Sequence, residues 1–315
     1  MKIFENVNNF KAINPAVTIG IFDGVHLGHI QILNRLKSVA AEMKGETVVV
    51  TMWPHPRLVL GKHPENIRLL SSLEEKIRLI ELNGIDHLVL LPFTRDFANI
   101  PYDEFIKDYL VSGIQARSIV VGYNHHFGKD RKGGFEQLKE SAVKFKFSVE
   151  RLMPVIIDHK SVSSSVIRQL IAEGNVFEGN RLLGYNYAIE GRVVEGKKLG
   201  RLLGFPTANI EMIHAEKLIP LSGVYAVRVE LGNKLYNGML NIGVRPTITE
   251  QVHNLTIEVH ILHFTDDIYG KSLKLQFIKR IRDEKKFGNA DELIDQLKLD
   301  KLETEKIFDE RNQKI

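Results

Sequence analysis

The hydrophobic rhythm of this chain changes once, near residue 185, and no single layer architecture accommodates both halves. Before that point, short β-branched or aliphatic runs alternate with amphipathic stretches. Ala16–Gly20 (AVTIG), Thr47–Met52 (TVVVTM), His87–Leu91 and Ser118–Gly122 (SIVVG) predict buried strands. Between them, Leu27–Met43, Leu73–Leu82, Tyr102–Val111 and Phe135–Val143 predict helices. In the first helix Ile30, Leu33, Val39 or Ala40, and Met43 recur at three- and four-residue spacing. Continuous apolar strands separated by helices require a parallel sheet covered on both faces. Two short helices, Val166–Ala172 and Val176–Leu183, close this half. Beyond it, Tyr187–Val194, Val224–Leu231, Leu235–Ile242, Leu255–Leu262 and Ser272–Ile281 are strand-like, and Gly or Asn marks most gaps. Such a run predicts a small antiparallel barrel or sandwich. A charged helix from Ala290 follows, with Leu293, Leu297 and Ile307 facing inward. The expected domains are 1–184 and 185–315, each of ordinary size.

Composition narrows the chemistry. The chain has no cysteine, which excludes disulfides, thiolate nucleophiles and thiolate metal sites. The opening MKIFENVNNFKAINPAV has no apolar core of signal-peptide length, and no stretch approaches the roughly 20 apolar residues that span a bilayer. A cytoplasmic protein without membrane contact is expected. The 43 basic and 39 acidic residues are interspersed, leaving a net charge of +4. That mild excess suits a protein that handles phosphates. No long basic arm and no aromatic-basic interleaving point to nucleic acid.

The most informative segment is GIFDGVHLGH, residues 20–29, where the first strand turns into the first helix. Gly20, Gly24 and Gly28 let backbone approach a ligand closely. A helix N-terminus offers free N–H groups and partial positive charge, which favours phosphate. His26 and His29, three apart, can both donate to charge developing on a phosphoryl group. Alone, the pair could equally be surface histidines at a turn or two ligands of a metal whose third ligand is not evident.

This segment resembles the H-x-G-H signature of nucleotidyltransferases. Its longer pattern is similar to the FAD synthetase half of bacterial bifunctional riboflavin kinase/FAD synthetases. Three further segments resemble that family in order. Thr51–Pro56 (TMWPHP) matches its T-F-x-P-H-P with the aromatic displaced by one. Gly122–Gly128 (GYNHHFG), with Arg131 and Gly133, matches its flavin-side loop, with His125 where the family has Phe. Val162–Arg168 (VSSSVIR) matches its I-S-S-[ST]-x-I-R. Independently of resemblance, consecutive serines before a helical run can cap it and bind phosphate, and Arg168 one turn in can pair with a phosphate oxygen. The resemblance implies an ATP site from Gly20, Phe22, Asp23, Gly24, Gly28, Ser163, Ser164, Ser165 and Arg168, with His26 and His29 catalytic. It implies a flavin site from Pro54, His55, Pro56, Asn124, His125 and Arg131.

The second constellation is GRLLGFPTAN, residues 200–209. Gly-x-x-x-Gly followed by Pro reads as a tight turn. Thr207 and Asn209, two apart in an extended segment, share a side and offer neutral oxygens that suit a hard cation, or simply a local polar turn. The segment resembles the G-F-P-T-A-N signature of riboflavin kinases. Asn241–Thr247 (NIGVRPT), Glu258–His260 (EVH), Tyr269–Lys271 and Arg280–Phe287 resemble further motifs of that family, with His263 where an acidic residue is usual. The resemblance implies Glu258 as catalytic base, Thr207 and Asn209 as metal ligands, and Gly196, Lys198, Gly200, Arg201, Gly204, Phe205, Pro206, Asn241, Arg245 and Arg280 as ATP or flavin contacts. Gly196–Arg201 (GKKLGR) would form a flap over the nucleotide.

Together these similarities imply an α/β plus all-β chain: a Rossmann-like nucleotidyltransferase domain, a six-stranded antiparallel riboflavin-kinase barrel and a C-terminal helix. Only five barrel strands are evident in the pattern itself. The implied activities are phosphorylation of riboflavin to FMN and adenylylation of FMN to FAD. ATP, riboflavin and FMN are the implied partners, Mg²⁺ accompanies ATP, and no nucleic acid, membrane or obligate protein partner is expected. Two other readings remain: a single-activity adenylyltransferase with a flavin-sensing barrel, and a barrel that binds oligonucleotides.

Overall fold

The computed structural model describes residues 1–61, 63, 67–196, 199–245 and 254–312. The chain divides into two compact units, Met1–Ser164 and Ser165–Ile315. The first is built on six strands: β1 (Lys2–Phe4), β2 (Ala16–Ile19), β3 (Thr47–Trp53), β4 (His87–Pro92), β5 (Ser118–Gly122) and β6 (Ser148–Leu152). They lie in the order β1-β4-β3-β2-β5-β6, with every neighbouring pair parallel. The helices are α1 (Leu27–Glu42), α2 (Pro56–Leu60), α3 (Leu73–Leu82), α4 (Arg95–Ala98), α5 (Tyr102–Glu104) and α6 (Phe135–Phe145). A two-residue hairpin, β7 (Ile156–Ile157) with β8 (Lys160–Ser161), ends the unit.

The period-two rule explains why consecutive residues of β3 are apolar at Val48–Val50 and why the strand is buried from Thr47 to Met52. Val48 and Val50 join one core with Val17, Ile19 and Val121. Val49 joins the other, with Leu33, Leu36 and Val120. Both faces of the strand are therefore buried. The pattern left out β1 and β6. Both are edge strands, and neither has a fully buried residue, so neither carries a hydrophobic run. The helix expected over Tyr102–Val111 starts as α5 and continues as a π-helix, Phe105–Gly113. Its wider winding still buries Phe105, Ile106 and Leu110.

From β2 the chain builds towards β3 and β4 on one side and later adds β5 and β6 on the other. Parallel strands end on one edge, and such a reversal opens a crevice at their C-terminal ends. The loops after β2, β3 and β5 all leave from that edge.

The second unit begins with most of α7 (Ser164–Ala172) and with α8 (Val176–Leu183). Strand β9 (Ala188–Val194), short helix α9 (Leu199–Leu202), and strands β10 (Ala208–Met212), β11 (Gly223–Leu231), β12 (Lys234–Arg245), β13 (Asn254–Ile261) and β14 (Ser272–Arg282) follow. The six strands close into a barrel, β10-β13-β12-β11-β14-β9, with antiparallel neighbours. Strand β10 is the sixth, absent from the hydrophobic pattern because ANIEM buries only Ile210 fully. Closure leaves no unpaired edge.

Helix α8 ends at Gly184, whose φ of 84° is the left-handed conformation glycine adopts without cost. Asn180 on α8 donates to Phe277 O at 2.8 Å and accepts from Tyr187 N at 2.7 Å, tying the helix to the start of the barrel. Helix α10 (Ala290–Asn312) packs Ile307 and Phe308 against Ala226 and Ile278. Asp300, 1% exposed, is held by Arg282 through contacts of 2.7–3.1 Å. Removing one partner of a buried ion pair strands the other. Asp300→Ala should therefore lower the unfolding free energy by about 3 kcal/mol in urea denaturation. A loss below about 1 kcal/mol would place the anchoring of α10 in its apolar contacts alone.

Candidate active sites

The first site is assembled around a strained turn. Phe22, Gly24 and Val25 have φ values of 51°, 82° and 35°. Non-glycine residues persist there only when their surroundings over-determine them. Asp23 supplies much of that restraint. Its buried carboxylate accepts Leu70 N at 3.0 Å and both the N–H and the hydroxyl of Ser71 at 3.1 and 3.3 Å. Ser71 Oγ in turn accepts Gly24 N at 3.0 Å. Ser164 Oγ donates to Asp23 O at 3.0 Å. Two distant segments, Leu70–Ser71 and Ser164, thus hold residues 20–29 in one shape.

His26 caps α1, and its Nδ1 accepts His29 N. The two imidazoles stack at 3.7 Å between centroids, 15° from parallel. Gly28 makes this possible, because a Cβ there would crowd the His26 ring at 3.2 Å. Phe22 lies 4.9 Å from His29. Gly20 lacks the Cβ that would strike the Phe22 ring. Burial first, then the neighbouring His26 and Lys76, holds the His29 pKa well below the ordinary histidine value. With Nδ1 of His26 occupied as an acceptor, its Nε2 carries the proton in the neutral ring. Ser165 and Arg168 follow Ser164 on α7, Ser163 precedes it, and Ser165 is exposed.

The loops from β3 and β5 bring in the other expected residues. His55 is buried and caps α2 by accepting Arg57 N at 3.1 Å, with Pro56 as the first helical residue and Pro54 before it in a cis peptide. After β5, Asn124 is exposed, and His125 stacks on Phe127 at 5.5 Å. Burial, then His126 and Arg131, pushes the His125 pKa down to about 4. A neutral imidazole stacked on a phenyl ring is a flat, uncharged surface. Arg131 is exposed, in a turn where Gly128, Asp130 and Arg131 all have positive φ.

Lys76 was not foreseen. It is 1% exposed, lies 5.1 Å from the Trp53 ring centre, and among the described residues no hydrogen-bond acceptor reaches its Nζ. Burial lowers its pKa to about 8 against the opposing pull of Asp23. A signal was present: Ser72 and Glu75 form a capping box that marks the start of α3. Counting from it puts Lys76 on the inward stripe with Ile80.

In the barrel, β10 pairs Asn209 with Glu258, and β12 pairs Asn241 with the same Glu258. Directly opposed residues share a face, so Glu258 lies between two amides. Thr207 Oγ1 donates to Glu258 Oε2 at 3.2 Å. The turn before it closes on itself: Phe205 N donates to Gly200 O at 2.8 Å, and Gly204 has a φ of 80°. Glycine is required at 200, where a Cβ would run into Phe205 O, whereas at 196 a Cβ would displace the Asn209 amide. Pro206 and Arg201 are exposed. Arg280 is already engaged, by Asp283 at 2.6 Å and by Ser222 O, and its guanidinium packs against Gly174. Arg245 ends β12; Lys198, Pro246 and Thr247 lie outside the described residues. Among the described residues no three His, Asp or Glu side chains cluster as a metal site.

A family profile for FAD synthetase matches residues 10–166, and one for riboflavin kinase matches residues 183–308. A parallel nucleotide-type sheet followed by a closed barrel is therefore the two-part flavokinase and FAD synthetase class. The chain is 36% identical to the bifunctional riboflavin kinase/FMN adenylyltransferase of Bacillus subtilis strain 168, over 93% of this chain and 92% of that protein. It is 38% identical to the protein of the same name from Haemophilus influenzae, over 98% and 99%. A crystal structure described as a macrolide-efflux protein from Streptococcus pneumoniae shares 33% identity and a TM-score of 0.88, over 96% of this chain and 98% of that one. Among the described residues no helix is long and apolar enough to cross a membrane. The chain belongs to the bifunctional riboflavin kinase/FMN adenylyltransferase family.

Two of these buried groups give stability a pH dependence. The unfolded chain protonates His29 and His125 near 6.5, whereas the fold resists, so acid favours unfolding. Stability should fall as pH drops from about 6.5 towards 4, and His125→Phe should remove part of that slope in urea denaturation at several pH values. Lys76 acts at the other end. Its folded pKa is depressed, so its penalty is full below about 8 and vanishes above 10.5. Lys76→Met should be more stable than wild type by a few kcal/mol at pH 7, with the gap closing as pH rises through that window. A gap unchanged at pH 10.5 would show that Lys76 is not the titrating group.

Proposed function

We propose that this chain makes FAD from riboflavin in two ATP-dependent steps, adenylylation in residues 1–184 (the first unit together with α7 and α8) and phosphorylation in residues 185–315. The single observation that carries the reading is the presence in one chain of both constellations: the stacked His26–His29 pair at a helix N-terminus and the Thr207–Glu258 contact flanked by Asn209 and Asn241.

In the barrel, Glu258 takes the proton of the terminal ribityl hydroxyl as that oxygen attacks the γ-phosphorus of ATP, and ADP leaves. Thr207 and Asn209 offer neutral oxygens beside one carboxylate. That donor set fits Mg²⁺, which keeps several waters and takes its remaining ligands from phosphates. When bound with ATP, Mg²⁺ neutralises charge on the β- and γ-phosphates. Gly196, Lys198, Gly200, Arg201, Gly204, Phe205, Pro206, Asn241, Arg245 and Arg280 frame ATP and flavin.

Within residues 1–184, an FMN phosphate oxygen attacks the α-phosphorus of a second ATP, and pyrophosphate leaves. No covalent enzyme intermediate is needed, so the protein contributes position and charge stabilisation. Nε2–H of His26, neutral His29, Ser164 and Arg168 meet the developing charge. Gly20, Phe22, Asp23, Gly24, Gly28, Ser163 and Ser165 shape the ATP cradle. Pro54, His55, Pro56, Asn124, His125 and Arg131 form the flavin side. Action in the cytoplasm belongs to the same reading.

The test is a chromatographic time course with riboflavin, ATP and Mg²⁺. FMN should appear first and FAD after it. Glu258→Gln should abolish FMN formation while supplied FMN still becomes FAD. His29→Ala should do the reverse and let FMN accumulate, with a loss of about 10² or more in adenylyl transfer. Wild-type protein inert towards both riboflavin and FMN would overturn the reading. Riboflavin binding without turnover would instead make the barrel a sensor.

A further inference from the structure

His260 lies two residues beyond Glu258 on β13, and its side chain has not entered the chemistry so far. The ladder between β10 and β13 runs Asn209 opposite Glu258 and Ala208 opposite Val259. Continued by one step, it sets Thr207 opposite His260. The main-chain ladder itself ends at Ala208, and Pro206, two residues before it, has no N–H to donate. In its place the side chain takes over: His260 Nδ1 lies 2.8 Å from Pro206 O. A carbonyl oxygen only accepts, so the proton of this contact belongs to Nδ1. The edge of the same ring meets Phe205 at 5.4 Å, 65° from parallel.

These contacts matter because of what Pro206 precedes. Thr207 is exposed, and apart from its chain neighbours its hydroxyl is located by the 3.2 Å contact to Glu258. The segment before it is a glycine turn with positive φ at Gly204, which can adopt other shapes at little cost. A half-buried imidazole clamped to both Phe205 and Pro206 removes that freedom one residue upstream of the hydroxyl.

We propose that His260 is a positioning residue of the barrel site: its Nδ1–H fixes the Pro206 carbonyl and so sets the Thr207 and Asn209 oxygens for the cation carried by ATP. The inference rests on the riboflavin-kinase reading of the barrel. It concerns geometry rather than proton transfer. Burial first, then Lys301 and His263, holds the imidazole below its ordinary pKa, opposed by the bond to Pro206, so the ring is neutral at pH 7. Outer groups that orient metal ligands typically contribute about 10–100-fold to metal affinity or activity.

The experiment compares His260→Ala, His260→Gln and His260→Asn in the full chain. An Asn amide N–H can occupy the place of Nδ1–H, whereas Gln reaches beyond it. The Mg²⁺ concentration for half-maximal riboflavin phosphorylation should rise about tenfold in the Ala and Gln variants. It should stay near wild type in His260→Asn. FMN adenylylation by the same proteins, which uses the other site, should be unchanged, and phosphorylation recovered at saturating Mg²⁺ reports that the barrel is folded. A second readout does not depend on turnover. In ¹⁵N-histidine-labelled protein, one ring should show the Nδ1–H tautomer, and His260→Asn should remove that signal. Wild-type Mg²⁺ dependence in His260→Ala, or an Nε2–H tautomer for His260, would overturn the proposal. A wild-type chain that makes no FMN would defeat the functional reading instead, and the tautomer would still decide the Pro206 contact.

Discussion

The buried carboxylate of Asp23 organises the first unit. A charge enters a protein interior only when hydrogen bonds replace its water. Here the replacements come from the backbone at Leu70 and Ser71 and from the Ser71 hydroxyl. The same restraint holds Gly24 through Ser71 and allows Phe22 and Val25 to remain in strained conformations. Helix α1 then starts where His26 can cap it and stack on His29. Loss of that one anionic anchor would release the turn and scatter the histidines, although Asp23 need touch no reacting atom.

The barrel reaches a comparable order by different means. Closure pairs each strand on both sides, so a residue's neighbours are dictated by register rather than by a single buried charge. Glu258 has Asn209 on one flank and Asn241 on the other for that reason. The ladder stops at Ala208, and a side-chain bond from His260 to the Pro206 carbonyl holds the segment before it. Glycines at 196 and 200 then allow the preceding segment to lie against this cluster. The two constellations share a principle: their polar side chains are set by backbone that has little freedom left.

Much of this was legible in the linear chain. Val48, Val49 and Val50 are apolar in succession because both faces of β3 are covered, and a reader of the sequence can infer as much. The spacing of His26, Gly28 and His29 already implied a pair at a helix start. Strand β10 was hidden because it is only five residues long and buries Ile210 alone fully, even though its apolar and polar residues alternate. Strands β1 and β6 were hidden as edges, stabilised by a neighbour rather than by a hydrophobic run. Lys76 looked like an ordinary helical lysine, although its position after a capping box placed it on the inward stripe.

By itself the sequence determined the change from alternating to strand-only architecture near residue 185, the two phosphate-type motifs, and the identity of most residues named in both sites. These are local properties, set by side-chain periodicity and by which residues can form a turn or cap. Only the tertiary structure decided that Asp23 faces Leu70 and Ser71, that Asn241 flanks Glu258, that Lys76 is buried beneath Trp53, and that His260 holds Pro206. Each of those depends on strand register or on loops distant in sequence meeting at one edge. Neither is encoded in the spacing of neighbours along the chain.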